Sequence, residues 1–134
     1  GLDPVAIKEG TAKRVPAGEV EIDATGKYVM PGLINLHGHT QDERGGVPQP
    51  VEYCTKLWLA CGITTVRDVA ATPKTLRFRE QSAKNELPAP KIYAYAAFLG
   101  VKNADEARAK VRQIKQDGYD GIKLFGLDRD IMEA

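Results

Sequence analysis

The order of the secondary-structure signals after Pro31 constrains the fold of this 134-residue chain more than any other feature. Short apolar or β-branched runs, typical of strands, alternate with longer amphipathic runs, typical of helices. The predicted strands are 33–37, 63–69, 91–98 and 121–126, and the predicted helices are 51–61, 74–85, 104–117 and the first turns of another over 127–134. This alternation predicts an α/β fold in which parallel strands are covered by helices through right-handed connections.

The clearest local signals belong to the helix that follows Asn103. Asn103 is a favourable N-cap, and Glu106 stands three residues later in a position similar to that of a capping box. Gly118 is a typical C-terminal stop for the helix. Its predicted apolar stripe consists of Ala104, Ala107, Val111 and Ile114. In contrast, residues 41–50 are rich in Gly and Pro, and they predict a long loop after the first strand.

Residues 1–31 have a different character from the rest of the chain. Apolar and acidic residues alternate over 20–24, with the period of a half-exposed strand. Residues 27–30 form another short run that favours extended chain, and Pro31-Gly32 ends it. The sequence therefore predicts a strand-rich unit over residues 1–31, separate from the alternating unit over 32–134.

Composition excludes several classes of function. The net charge is +1, so nothing favours nucleic acid, an anionic membrane or an acidic partner. No apolar run approaches the roughly 18 residues of a membrane span. The chain starts at Gly1 and not at Met, so the sequence leaves open whether a leader has been removed. We expect a cytoplasmic protein that acts on a small-molecule substrate.

The two cysteines, Cys54 and Cys61, lie seven residues apart in a predicted helix. Seven helical residues rise about 10.5 Å, whereas the Cα atoms of a disulfide lie within roughly 7 Å of each other. We therefore predict two free thiols on small buried side chains, which fits a reducing compartment.

The residues that can carry chemistry are His37-Gly38-His39, at the end of the first predicted strand. Side chains two residues apart on a strand project to the same face, so both imidazoles can reach one metal ion. Gly38 allows the backbone to crowd such a site. Neutral imidazole suits zinc, iron, nickel or copper better than magnesium or calcium. The motif by itself leaves metal ligands and ordinary hydrogen-bonded histidines equally open.

The sequence around these histidines is more specific than the motif alone. The run DATGKYVMPGLINLHGHT over residues 23–40 resembles the first metal motif of the amidohydrolase superfamily. The run TTVRD over 64–68 is similar to the second barrel strand of that family, and GIKL over 121–124 is similar to the fourth. In one large branch, which includes imidazolonepropionase-like enzymes and metal-dependent prolidases, the fourth strand carries a metal-bridging lysine.

The resemblance implies a fold and its boundaries. Residues 1–31 would supply strands of a small β-sandwich, and residues 32–134 would form the first half of a TIM-like (β/α)8 barrel, with four of its β/α units. A complete barrel needs about 250 residues. Either the sequence is part of a longer polypeptide, which we expect, or it is an isolated fragment that must pair with something to cover its open strand edges.

The resemblance also implies a set of metal ligands. These are His37, His39 and Lys123, with one or two divalent ions, zinc by default. A protonated lysine has no lone pair, so the family pattern implies that Lys123 is carbamylated by carbon dioxide, which requires a neutral amine of the kind that burial favours. The alternative is a lysine whose charged end reaches solvent at the end of a strand. The family's other metal histidines and its catalytic aspartate come from later strands, so no catalytic residue is assigned here.

The implied function is metal-dependent hydrolysis of an amide by an activated water. The substrate would be a non-peptide amide, a cyclic amide or a dipeptide, and a homo-oligomer is possible. The alternative is a non-catalytic half-barrel, a fragment or assembly module that lacks the complete metal site. A nucleotide-binding doubly wound sheet is disfavoured because no GxGxxG or P-loop follows a strand.

Several other residues receive secondary predictions. Arg67 and Asp68, at the end of the second strand, are expected to support the site or form a structural ion pair, and we favour a structural role. Residues 41–44 either shape the mouth of the site or, as we favour, form a solvated loop. The aromatic residues Tyr53, Trp58 and Phe78 are predicted to pack helices against the barrel.

Overall fold

The computed structural model describes residues 24–133. The chain divides into two compact units, Gly1–Pro31 and Gly32–Ala134. The predicted β-sandwich strands fall largely on residues 1–23, which lie outside the described residues. Residues 24–31 contain a turn, in which the Lys27 N–H donates to the Ala24 carbonyl at 2.9 Å, and no strand is assigned among them.

The second unit has the predicted alternation. Its elements in chain order are β1 (Leu33–Gly38), β2 (Glu43–Arg44), β3 (Val47–Pro48), α1 (Val51–Ala60), β4 (Ile63–Ala71), α2 (Pro73–Ala83), β5 (Lys91–Phe98), α3 (Ala104–Gln116), β6 (Gly121–Leu124) and α4 (Arg129–Met132). The long strands form one sheet in the order β1-β4-β5-β6, and every neighbouring pair is parallel. The predicted α/β half-barrel is therefore confirmed.

The core lies between this sheet and its helices. The strand residues Val66, Ile92 and Phe98 are at most 2% exposed. Phe98 belongs to a cluster that also contains Ala96, Ala107, Ile114 and Ile131. The predicted apolar stripe of α3 is confirmed at Ala107 and Ile114 but wrong at Val111, which is 42% exposed.

The predicted N-cap and C-terminal stop of α3 are confirmed, whereas the Glu106 carboxylate bonds the N–H before the N-cap and not that of the N-cap itself. Asn103 Oδ1 accepts a hydrogen bond from the Glu106 N–H at 2.9 Å, and the Glu106 carboxylate accepts one from the Lys102 N–H at 2.9 Å. Gly118 has a φ of +84°, the left-handed conformation that commonly ends a helix. The start and end of this helix are therefore fixed by residues within it or next to it.

The loop prediction over 41–50 is wrong in part, because β2 and β3 form an antiparallel hairpin there. Gly45 and Gly46 have φ values of +59° and +80°, and they form the two central positions of the turn. Two successive residues at positive φ are typical of a type I′ turn, which suits the twist of a hairpin. The Gly-Gly pair between two short runs was the sequence signal for it.

The two thiols are free, as predicted, but they differ in burial. Cys54 is half-buried on α1, and its Sγ lies 3.2 Å from the Val51 carbonyl. Burial raises the pKa of the Cys54 thiol. Cys61 is exposed, so the prediction of a buried side chain is wrong there. It is the C-cap of α1, just before the chain turns through Gly62 at a φ of +76°.

Candidate metal centre

His37 and His39 lie next to each other at the carboxyl end of β1. Their ring centroids are 5.5 Å apart, and the rings meet edge to face at 68°. Both side chains are exposed, whereas Gly38 between them is buried. In parallel α/β folds this end of the sheet is where ligands and reacting groups bind. The structure therefore brings the two predicted histidines together at the expected edge.

The separation of the two imidazole rings matches that of two ligands on one metal ion. Zinc binds histidine nitrogen at about 2.0–2.1 Å in a tetrahedral arrangement. Two rings held in this way have centroids roughly 5 Å apart, close to the observed separation. Both rings supply nitrogen donors that suit a transition metal. Between residues 24 and 133, no group of three or more His, Cys, Asp or Glu side chains is placed to hold a metal.

An irregularity in the pairing of β1 with β4 sets the direction of these side chains. Asn35 pairs with Val66 and Gly38 pairs with Asp68, so two residues of β1 stand opposite the single residue Arg67. This arrangement is a β-bulge, which is common beside active sites because it redirects side chains. The bulge places both Asn35 and Gly38 on the side of the sheet that faces Val66.

Gly38 has a specific packing role in this arrangement. A Cβ at this position would lie 2.6 Å from Val66 Cγ1 on β4 and 3.4 Å from Trp58 Cζ2 on α1, so any larger residue would clash with Val66. His37 is the residue before Gly38 on β1, and His39 follows directly after the strand ends. The packing prediction for Trp58 agrees with this contact, but Tyr53 is 61% exposed and the packing prediction is wrong for it.

A cleft of about 540 Å³ borders the two imidazoles. Its walls come from the carboxyl end of β1, from the hairpin segment and from α1. The residues that line it include Asn35, His37, His39, Arg44, Tyr53 and Trp58. The segment 41–50 therefore contributes to the mouth of the candidate site, although its side chains are largely solvated.

Asp68 holds the residue that follows His39. The carboxylate is 1% exposed and accepts hydrogen bonds from the Thr40 N–H at 2.8 Å, the Ala70 N–H at 3.0 Å and the Thr75 hydroxyl at 3.4 Å. It thus connects the end of β1 to the first turn of α2. A structural role for Asp68 agrees with the prediction, but its partners are backbone and hydroxyl groups, and no described ion pair joins it to Arg67.

The Thr40 hydroxyl is the buried polar atom that stands out near His39. Thr40 is 6% exposed, and its Oγ1 has no hydrogen-bond partner within the described part of the chain. Sequence reasoning did not single out Thr40. Its signal was position alone, as the residue directly after the histidine motif.

Lys123 lies on the opposite edge strand of the sheet. It pairs with Ala97 on β5, so it shares a face with Tyr95, and its Nζ lies 5.6 Å from the centroid of the Phe125 ring. Three strand spacings separate β6 from β1, which is roughly 14 Å along a flat sheet. The structure therefore brings His37 and His39 together but places Lys123 three strands away from them.

The chain is similar to known proteins over part of their length. No protein-family model matches it. It is 39% identical over 70 residues to the dihydroorotase of Bacillus licheniformis, across 52% of this chain and 16% of that protein. It is 29% identical over 119 residues to the allantoinase of Enterococcus faecalis, across 81% of this chain and 25% of that protein.

A solved structure gives the same result for the fold. A Bifidobacterium longum protein designated a prolidase superimposes with a TM-score of 0.66 at 26% identity, across 87% of this chain and 31% of that one. In the part of the chain that the structure describes, no helix is long and apolar enough to cross a membrane. The chain spans between 16% and 31% of the length of these three proteins. Together with the parallel half-barrel sheet, these similarities confirm the resemblance of the chain to the amidohydrolase superfamily over a part of its relatives' length.

Proposed function

We propose that the protein is a metal-dependent hydrolase of amide bonds. The single observation that carries this proposal is the pair of imidazoles, 5.5 Å apart, at the carboxyl edge of the parallel sheet. Barrel enzymes keep their reacting groups at this edge. Two similar proteins are named for dihydroorotate and allantoin, both of which contain a cyclic amide or ureide. A cyclic amide is therefore the first substrate to test, followed by other non-peptide amides and dipeptides.

His37 and His39 would hold the metal, and Lys123 would complete the ligand set contributed by this chain if curvature of the sheet brings β6 toward β1. Zinc is our first choice from the nitrogen donors, as one or two ions. A bound ion of this kind lowers the pKa of a water molecule toward about 7 and polarises the amide carbonyl. Asp68 supports the site by fixing the Thr40 backbone directly after the second histidine.

Carbamylation of Lys123 by carbon dioxide is part of the proposal. The lone pair of the neutral amine attacks the carbon of carbon dioxide, an N–C bond forms as one C=O π bond breaks and its electron pair moves onto oxygen, and a proton leaves the nitrogen to water. The product ends in two oxygens that can bridge cations. The reaction needs the neutral amine, because a protonated amine has no lone pair with which to attack.

Elemental mass spectrometry on the full-length protein tests the metal site. Stoichiometric zinc that is lost in the His37→Ala, His39→Ala variant is expected, with hydrolysis of dihydroorotate, allantoin or an Xaa-Pro dipeptide lost in parallel. Asp105→Asn, at an exposed helix position, is the control that should keep both. An intact mass that includes one added carbon dioxide, absent from Lys123→Arg, would support the carbamate. A protein that binds no transition metal would contradict the proposal.

One observation favours the alternative of a non-catalytic half-barrel. Two apolar side chains of β1, Ile34 and Leu36, are 61% and 60% exposed to solvent. Such a face needs a cover, which the alternative supplies through assembly with a second copy. A metal-free homo-oligomer without hydrolase activity would support that alternative.

We also propose a cytoplasmic location, on the basis of the two unpaired thiols.

A further inference from the structure

The peptide unit between Leu36 and His37 is held by two side chains. Its N–H, which belongs to His37, donates to Asn35 Oδ1 at 3.0 Å. Its carbonyl, which belongs to Leu36, accepts from Arg67 Nε at 2.7 Å. One residue comes from β1 itself and the other from the neighbouring strand β4. Both polar groups of this one peptide therefore have side-chain partners.

The position of this peptide explains why it needs such partners. It lies at the centre of the β-bulge, where Leu36 and His37 together stand opposite Arg67. A bulge interrupts the regular hydrogen bonds between strands, and backbone polar groups left without a partner cost free energy. The Asn35 contact spans two residues in the manner of an Asx turn. The Arg67 contact is charge-assisted and short.

Arg67 is itself held in place. Its guanidinium carbon lies 5.3 Å from the centroid of the Tyr95 ring on β5, within the range of a cation–π contact. The planar guanidinium is thus fixed between a ring on one strand and a carbonyl on another. A lysine at this position would keep the charge but could not reproduce the planar donor.

We infer that Asn35 and Arg67 are positioning residues for the candidate metal centre: they clamp the 36–37 peptide and thereby set the direction of the His37 side chain. This inference rests on the proposed metal site, because its purpose is to align His37 with His39. The peptide they hold is bonded directly to the Cα of His37. A small rotation of that peptide would move the imidazole out of reach of an ion shared with His39.

The test measures zinc affinity of the full-length protein by competition with a chromophoric chelator, together with hydrogen–deuterium exchange of the His37 amide in the metal-free protein. The variants are Arg67→Gln, Arg67→Lys and Asn35→Leu. Arg79→Gln is the matched control. Arg79 also donates to a backbone carbonyl, that of Gly118, but this carbonyl lies just before the amino end of β6 and not at the carboxyl end of β1.

Arg67→Gln and Asn35→Leu are expected to weaken zinc binding by about 10- to 100-fold, as loss of groups that orient a metal ligand does. The sign is informative for Arg67, because removal of a nearby positive charge would by itself tighten binding of a cation. Arg67→Lys should fail to restore affinity, and Arg79→Gln should leave it unchanged. The His37 amide should exchange faster in Asn35→Leu, and Asn35→Asp, which keeps the acceptor, should restore its protection.

Two results would overturn the inference, and they differ from failure of the proposed function. If the wild-type protein binds zinc and Arg67→Gln or Asn35→Leu binds it equally well, the clamp does not position His37. If Arg79→Gln weakens binding as much as Arg67→Gln does, the effect is general instability and the inference also fails. If the wild-type protein binds no transition metal, the proposed function itself is wrong, and the role inferred for the clamp falls with it.

Discussion

Two strands of the same sheet, β5 and β1, are built in opposite ways. Along β5 every second residue is buried, at Ile92, Ala94, Ala96 and Phe98, and the strand pairs on both sides. β1 shows no such alternation, and its pairing with β4 shifts register twice. The regular strand stabilises the core, whereas the irregular strand presents His37 and His39. The comparison indicates that the departure from regular pairing in β1 belongs to the candidate site.

Removal of the two histidines should give the largest functional effect with the smallest structural one. His37→Ala, His39→Ala should lose the bound metal and all activity that depends on it, because both nitrogen donors disappear. Both side chains are exposed, so the thermal unfolding midpoint of the metal-free protein should hardly change. Metal content and differential scanning calorimetry of the apo protein measure the two effects. A large drop in apo-protein stability would show that these side chains serve the fold.

Phe98→Ala on β5 should give the reverse result. The side chain is 2% exposed and lies in the main apolar cluster, so its loss leaves a cavity that lowers the free energy of unfolding by about 3–5 kcal/mol. Val111→Ala is the control, because Val111 is 42% exposed and should cost far less. Urea denaturation compares the two. Equal losses would contradict the placement of the core between β5 and α3.

Much of β5 and α3 follows from signals close in sequence. The alternation over 91–98 fixes which side chains face the helices, and Asn103 and Gly118 fix the ends of the next helix. The same local reasoning missed the hairpin turn at Gly45-Gly46, although those two glycines were a sufficient signal. Local patterns therefore predicted most of the elements, and the missed element was one whose pattern is also local.

The bulge in β1 could not be predicted in the same way. Simple alternation puts Asn35, His37 and His39 on one face of the strand, whereas in the structure Asn35 pairs on the side of Val66 and Gly38 joins it there. The shift depends on the register with β4, whose residues come about thirty positions later in the chain. The placement of Lys123 is a similar case, since its distance from the histidines depends on how the sheet curves.

Asp68→Asn should lower stability by an intermediate amount. The buried carboxylate accepts hydrogen bonds from three donors. The asparagine side chain keeps only one acceptor oxygen, and its NH₂ group would face one of the backbone N–H donors. A buried polar group without a hydrogen-bond partner costs about 1–3 kcal/mol.

Asp120 is the matched position, since its carboxylate accepts a hydrogen bond from the β5 residue Ala94 at 2.7 Å but remains 33% exposed. Asp120→Asn should cost less because water can replace the lost bond, and urea denaturation of both variants measures the difference. A larger loss for Asp120→Asn would contradict the importance assigned to the β1 end of the sheet.

Lys74→Ala should have the smallest effect on stability. Lys74 Nζ lies 2.8 Å from Asp42 Oδ2, and this hydrogen bond lowers the pKa of the Asp42 carboxyl. A lowered pKa in the folded state contributes stability above the ordinary carboxyl pKa of about 3.9, and this contribution is lost as the pH falls through the folded value. Removal of the amine should return the Asp42 pKa toward its ordinary value in an NMR titration.

Near neutral pH the same variant should leave the free energy of unfolding almost unchanged, because both side chains are exposed and water and salt screen the pair. Zinc affinity should also stay the same, since the pair joins Asp42 in the loop beyond His39 to Lys74 on α2 and holds neither the 36–37 peptide nor the Thr40 backbone. A weaker zinc affinity in Lys74→Ala would mean that the histidines are positioned by the loop after β1 as well as by the bulge within β1. The contrast with Arg67→Gln then decides which part of the strand end orders the site.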